Sequence, residues 1–205
     1  MGRWEPNALQ RLQQAAMALF LERGYTRTTV GEIAARAQLT ERTFFRYFTD
    51  KREVLFSGSK DFEKLVVESI ASTPKTTPPL DAVLAAFEAT TPFFAERRAY
   101  ARRRQALIER HAELHERELI KFAELASIIA GKLRGRGLSK STAALVAETG
   151  VAVFQNAFER WVGSTGQKQD LTDHIRAALA DLRLVAAETV PRPVPARTRS
   201  SAGTS

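Results

Sequence analysis

There is no cysteine among the 205 residues of this chain. That absence excludes disulfides, thiolate metal sites and thiol-based redox sensing. Histidine is scarce, at three residues. His111 and His115 sit four apart on a predicted helix, a spacing that can hold a metal, but only Glu116 or Glu118 offers a third ligand, so no metal is expected. His174 has no candidate partner in the sequence. No apolar run reaches membrane-spanning length. The opening Met1-Gly2-Arg3-Trp4-Glu5-Pro6 is followed by no apolar export segment, so cytoplasmic residence without membrane contact is expected. Neither H-E-x-x-H nor G-x-S-x-G occurs. Gly135-x-Gly137 follows a predicted helix, with no strand ahead of it, and reads as a turn, not a dinucleotide site. With no hydrolytic constellation either, no catalytic residue and no cofactor are predicted.

What is present points elsewhere. A hydrophobic content of 44% is ample for a buried core. The net charge of +8 favours an anionic partner, and double-stranded DNA is the obvious one. Apolar residues recur at helical intervals along the chain, with no strand alternation and no internal repeat, so the predicted fold class is all-α.

The stretch from Thr28 to Lys51 organises the rest. Thr29 with Glu32 three residues on makes a capping box. Val30, Ile33, Ala34 and Ala37 then give one inward face. Gln38-Leu39-Thr40 interrupts the pattern, and Thr40 is a suitable N-cap for the next helix. There Phe44 and Phe48 point inward with Leu39, while Arg42, Phe45 and Arg46 share an outer face beside Thr43 and Tyr47. Asp50 caps a further helix, with Glu53 three residues on. Two short helices split by a tight break, the second bearing Thr, Arg and aromatics outward, have the layout of a helix-turn-helix whose second helix enters the major groove.

Phe20-Leu21-Glu22-Arg23-Gly24-Tyr25, Thr28-Thr29-Val30, Phe44-Phe45-Arg46-Tyr47-Phe48 and Asp50-Lys51 together resemble the N-terminal domain of the tetracycline-repressor (TetR) family, over roughly residues 8 to 56. Three positions depart from that pattern. Gln38 stands where glycine is usual, at a turn that often needs positive φ; a side chain there costs about 1 kcal/mol. Phe45 replaces a common tyrosine. Glu41 replaces a frequent lysine and is suited to the helix dipole, to cytosine N4, or to neither.

The residues divide the DNA work between them. Arg42 and Arg46 can donate bidentately to guanine, and Thr43 and Phe45 can touch a thymine methyl. Tyr47, Lys51, Thr28, Thr29 and Thr40 suit the phosphate backbone, and Arg27 suits the backbone or minor groove. The resemblance supports this division. The bland alternative is a merely solubilising surface helix.

The expected organisation is a DNA-binding domain over residues 1–52, a helical ligand-binding and dimerisation domain over 53–189, and a disordered tail over 190–205. Residues 1 to 6 read as a loose leader. Leu9, Leu12, Ala16, Leu19 and Phe20 form the stripe of a first helix, ended by Gly24 as a left-handed cap. A longer helix is expected from Asp50 to about Ser72, with Leu55, Phe62, Val66 and Ile70 inward, and a rigid break follows at Pro74 to Pro79. Later helices are expected at Leu80–Ala89, Thr91–Arg110, Ala112–Leu133, Ser139–Trp161 and Asp170–Glu188. The tail is rich in Pro, Ser, Thr and Arg.

Phe62, Phe87, Phe93, Phe94, Leu107, Phe122 and Ile128 fall on segments that the family packs around a small-molecule cavity; plain core is the equally ready alternative. Arg97-Arg98 and Arg102-Arg103-Arg104 fan around a helix axis. Two readings fit them. One is contact, through Arg103 among others, with an anionic effector such as an acyl-coenzyme A thioester; the other is a solvated face paired with Glu96, Glu109 and Glu113. Leu145, Gly150, Val153, Phe154, Ala157, Phe158 and Trp161, with Ile175, Leu179, Leu182 and Ala186 on the next helix, suit a four-helix homodimer interface or internal packing. The expectation is a homodimeric, sequence-specific transcriptional regulator, a repressor released from a palindromic operator by a small, hydrophobic or acyl-CoA-like effector. Rivals are a ligand-independent DNA-organising protein and a helical enzyme or carrier.

Overall fold

The computed structural model describes residues 7–95, 97–164 and 170–188. The leader at 1–6, the tail at 190–205 and Glu96 lie outside the described residues. Within them the chain is helical, with no strand.

The N-terminal unit is built from α1 (Ala8–Arg23), α2 (Val30–Arg36) and α3 (Glu41–Tyr47). Leu12, Ala16, Leu19 and Phe20 of α1 are buried as their spacing predicts, while Leu9 is 40% exposed. Gly24 adopts a positive φ of 85°, but its ψ of 149° lies outside the left-handed helical region, so it ends α1 without the expected left-handed cap. The Thr29–Glu32 capping box forms: Glu32 N–H donates to Thr29 Oγ1 at 3.2 Å and Thr29 N–H donates to the Glu32 carboxylate at 2.9 Å. The bond from Thr29 N–H, with one from the Thr29 hydroxyl at 3.0 Å, holds the Glu32 pKa below the ordinary carboxylate value. Gln38 takes the left-handed conformation, φ 54°. Around it Leu39 N–H donates to Ala34 O and Gln38 N–H to Ala35 O, which is a Schellman closure of α2. Thr40 then accepts from Thr43 N–H and opens α3. Ile33, Phe44 and Phe48 meet α1 in one apolar cluster.

The long helix expected from Asp50 is broken. Asp50 Oδ1 accepts from Arg52 N–H at 2.7 Å and Glu53 N–H at 3.3 Å, but what it caps is a single 3₁₀ turn, Glu53–Phe56. Burial pushes the Asp50 pKa up, and bonds from the Arg52 guanidinium and backbone outweigh that, leaving it lowered. Helix α4 (Ser59–Ser72) starts only after Gly58. Val54, Leu55 and Phe56 of that turn are all buried in the N-terminal core. The apolar cluster of the first unit therefore continues past residue 52, and Leu107, Ile108 and Leu114 join it from the second.

That second unit comprises α5 (Pro79–Ala89), α6 (Thr91–Ala95), α7 (Arg98–Arg110), α8 (Ala112–Gly135), α9 (Lys140–Gly163) and α10 (Leu171–Glu188). Pro79 occupies the first turn of α5, where its missing N–H costs nothing. The predicted Thr91–Arg110 helix divides into α6 and α7. The core lies among α4, α5, α8, α9 and α10 around Phe87, which stacks on Phe154 at 4.6 Å between centroids. Gly150 lets α9 close on α5: a Cβ there would lie 2.5 Å from Val83 Cγ1. Among the described residues, no helix is long and apolar enough to cross a membrane.

Candidate functional site

The outer face of α3 is the first candidate site. Arg42, Phe45 and Arg46 are exposed, Phe45 to 54%, and Thr43 and Tyr47 are half-buried beside them. An aromatic ring this open on a polar face leaves apolar area uncovered. Phe45 leans edge-on against buried Phe44. Arg46 is held out by its neighbour: its guanidinium lies 5.0 Å from the centroid of the Tyr47 ring and donates to the Tyr47 hydroxyl at 3.2 Å. Glu41 folds back onto α2, where a Cβ on Gly31 would meet its carboxylate at 2.7 Å. Arg27 is exposed and anchored through Nε to the Arg23 carbonyl.

Two expected phosphate ligands are turned inward instead. Thr28 is 1% exposed and its hydroxyl donates to Gly24 O at 2.9 Å. Lys51 Nζ donates to the carbonyls of Tyr25, Thr26 and Thr28 at 2.9, 3.2 and 3.0 Å and lies 4.4 Å from the centroid of the Tyr25 ring. It closes the α1–α2 loop, whose carbonyls have no helical partner, and an ammonium satisfies three at once. Tyr25 in turn packs on His111 at the α7–α8 junction, ring centroids 5.1 Å apart. Burial pushes its phenol pKa up. The Thr29 and Thr40 hydroxyls serve their caps first.

The second candidate is a cavity of about 190 Å³ where the two units meet. Phe62, Phe93, Phe94, Phe122, Phe154 and Phe158 make its apolar wall. Gln13 of α1, Leu55 and Phe56 of the 3₁₀ turn, and Ser57 close the opposite side, with Gln13 hydrogen-bonded to Ser57. Lys60, Arg97, Arg104 and Lys121 bring positive charge to the wall, and Glu63, Glu118 and Glu124 negative.

Several sequence expectations need correcting. Phe87 is fully buried behind Phe62 and Phe154 and does not reach the cavity. Leu107 belongs to the N-terminal cluster, because α7 lies across both units. Ile128 is half-buried on α8, outside the cavity wall. Arg103 points to solvent, and Arg104, one residue or 100° further round α7, faces the cavity. Arg98 and Arg102 fit neither reading of the arginine run: they donate to the carbonyls of Trp161, Val162 and Ser164, capping the end of α9. Of the predicted dimer face, Val153, Phe154, Ala157, Trp161 and Ile175 are buried in their own subunit, and Phe158 lines the cavity. Leu145 is 66% exposed, and Leu179 and Leu182 are half-buried. Leu184 and Val185, exposed to 63% and 61%, add apolar area on α10 outside the expected set. Among the described residues no three potential ligands cluster for a metal.

The sequence reading also passed over Gln13, Ser57, Tyr100, Glu118 and Lys121 as cavity residues. A signal existed for Glu118, which lies four residues before Phe122 and so shares its face of α8.

The family model described as "MftR C-terminal domain" matches residues 77–187, and that described as "Bacterial regulatory proteins, tetR family" matches residues 12–57. This chain belongs to the TetR family. Like other members, it is a DNA-binding transcriptional regulator. It is 27% identical over 184 residues to MftR of Mycobacterium tuberculosis, a regulator named for mycofactocin biosynthesis, covering 87% of this chain and 90% of that one. It is 35% identical over 79 residues to the HTH-type transcriptional regulator TcmR of Streptomyces glaucescens, covering 38% of this chain and only 35% of TcmR. In structure it is similar to FadR of Thermus thermophilus, a TetR-family transcriptional repressor solved with lauroyl-CoA, at a TM-score of 0.53 and 25% identity, covering 92% of this chain and 98% of that one.

Proposed function

We propose that this TetR-family regulator is a homodimeric, cytoplasmic repressor, without catalytic activity, that leaves a palindromic operator when a small molecule enters the cavity. One observation carries the reading: a single cavity is walled on one side by α1 and the 3₁₀ turn of the DNA-reading unit and on the other by the phenylalanines of the helical domain. Ligand pockets commonly hold about 300–1,000 Å³. In this reading a ligand of that size pushes the walls apart, and the reading unit moves with them. The coupling need be only about 1–3 kcal/mol to change operator occupancy usefully. An apolar tail fits the phenylalanine wall and an anionic end fits the lysines and arginines that outnumber the carboxylates in the lining, which agrees with the lauroyl-CoA held by FadR.

In this reading, Arg42 and Arg46 donate to guanines, Thr43 and Phe45 meet thymine methyls, and Arg27, Thr29, Thr40 and Tyr47 face the backbone. Leu145, Leu179, Leu182, Leu184 and Val185 on α9 and α10 supply the two-fold contact. The two reading heads then address half-sites a multiple of about 34–36 Å apart.

The test is fluorescence anisotropy with the intergenic DNA beside the protein's own gene, with and without lauroyl-CoA. Salt-sensitive binding to one palindrome, lost on adding the thioester, is the expected result. Equal affinity for random duplex would favour the DNA-organising rival. A monomer in sedimentation would remove the two-headed geometry.

A further inference from the structure

Arg104 makes three contacts that no packing role requires together. Its Nε donates to Leu55 O in the 3₁₀ turn at 2.8 Å, its Nη1 donates to Glu118 Oε1 at 2.9 Å, and its guanidinium lies 4.8 Å from the centroid of the Phe56 ring. The ion pair is enclosed, with the side chains 17% and 11% exposed, and both residues line the cavity. The same turn is gripped again from α8: Arg117 Nε donates to Glu53 at 2.5 Å, and Lys121 Nζ lies 3.6 Å from the other Glu53 oxygen. The turn these cations hold is the one whose Val54, Leu55 and Phe56 are embedded in the DNA-reading unit.

A carboxylate–guanidinium pair sunk in a ligand cavity is costly to desolvate and expensive to break on one side only. We infer that Glu118 is a resident placeholder for an anionic ligand group. The ligand's own anion takes the Arg104 guanidinium from Glu118, and the exchange loosens the grip of α7 and α8 on the Glu53–Phe56 turn. Glu118 stays on the cavity face of α8, three residues before Lys121. Paired there it draws Lys121 from Glu53, so the displaced carboxylate is not left bare and a second hold on the turn weakens. The apolar wall admits the tail; Arg104 reads the head and passes its arrival to the turn. This rests on the cavity being the effector site, as proposed above.

Isothermal titration of the full chain with dodecanoate, lauroyl-CoA and neutral dodecanol tests the exchange, paired with hydrogen exchange of the amides at 53–57. In the unaltered protein the anionic amphiphiles should bind about tenfold tighter than dodecanol and raise exchange at 53–57. Arg104→Gln should abolish that preference. Glu118→Gln, which removes the competing carboxylate but keeps the shape, should strengthen anion binding about tenfold and leave dodecanol unchanged. Arg104→Lys, which retains the charge and cannot fork, covers the case in which Arg104→Gln does not fold: it should keep part of the preference and lose the exchange response. A loss confined to dodecanoate assigns a carboxylate head, and one confined to lauroyl-CoA assigns the coenzyme's phosphates; a loss for neither overturns the inference. Binding of all three with unaltered preference in Glu118→Gln also overturns it while leaving the cavity as the effector site. No binding of any of the three overturns the cavity reading itself.

Discussion

The two units of this protein use their polar side chains over very different distances along the chain. In the helix-turn-helix the bonds that the threonines make at helix starts and turns are local: Thr28, Thr29 and Thr40 each bond to a group three or four residues away. In the helical domain they are remote. Arg98 and Arg102 reach carbonyls 60 to 66 residues away, and Arg136 collects those of Ile70, Thr73, Pro74 and Thr77 at separations of 59 to 66. A cap announces itself within one turn of sequence. An arginine that satisfies a distant helix end looks like any other surface cation. The helices that read DNA are therefore bounded by short motifs, while Lys51 in that unit and the arginines of the cavity domain close the fold over long range.

The sharpest break in this comparison comes from the shared core. Phe44 is fully buried at the centre of the N-terminal cluster. Phe44→Ala should cost about 3–5 kcal/mol. Because Leu107, Ile108 and Leu114 belong to the same cluster, the loss should appear as one cooperative shift of the thermal transition seen by circular dichroism. A separate early melting step, with the helical domain undisturbed, would show the units to be independent.

Next in size is Arg136→Ala. Its guanidinium holds the connection after α4 by four carbonyls, and α4 is the helix whose other end borders the cavity. Bonds to a charged donor are worth more than neutral ones, and the expected loss is about 2–3 kcal/mol in denaturant unfolding. An unchanged midpoint would mean that the long-range closures decorate the second domain and do not hold it. Smaller again in stability, and larger in function, is Arg46→Ala. Among the described residues the exposed guanidinium bonds to Tyr47 beside it, so melting should be unaffected while operator affinity falls by about 1–3 kcal/mol. Operator binding equal to that of the unaltered protein would remove Arg46 from the readout.

What could be seen in the residues follows the same division. The capping box at Thr29, the N-cap at Thr40 and the inward Phe44 and Phe48 all rest on interactions within a few positions, while the positive φ at Gln38 is implied by the resemblance alone. The helix expected to run unbroken from Asp50 failed because the burial of Val54, Leu55 and Phe56 is decided by α1 and α7, which periodicity within the segment does not contain. Lys51 and Thr28 look like phosphate ligands from their neighbours alone; the carbonyls in and before the α1–α2 loop that claim them become visible only when the loop is closed. On the dimer side, a helix such as α9 is apolar over most of its circumference, so the pattern could not say which stripe faces inward. Phe154 and Trp161 went to the core and Leu145 stayed outside.

The smallest effect tests the local side of the comparison most directly. Gln38 sits at φ 54° and closes α2 by donating its N–H to Ala35 O while Leu39 N–H reaches Ala34 O. Its backbone carbonyl is also the acceptor of Arg11 from α1, at 3.3 Å. A left-handed conformation costs an L-residue about 1–2 kcal/mol, and glycine is free of that cost but gives up about 0.5–1 kcal/mol of chain entropy on folding. Gln38→Gly leaves every backbone bond of the turn in place, so the protein should become more stable by about 0.5–1 kcal/mol. A rise of a few degrees in the melting midpoint is the expected reading. A fall would mean that the Gln38 side chain, whose Oε1 lies 3.5 Å from Arg11, adds more to the α1–α2 contact than the strain removes, and that even this shortest motif is held by a partner 27 residues away.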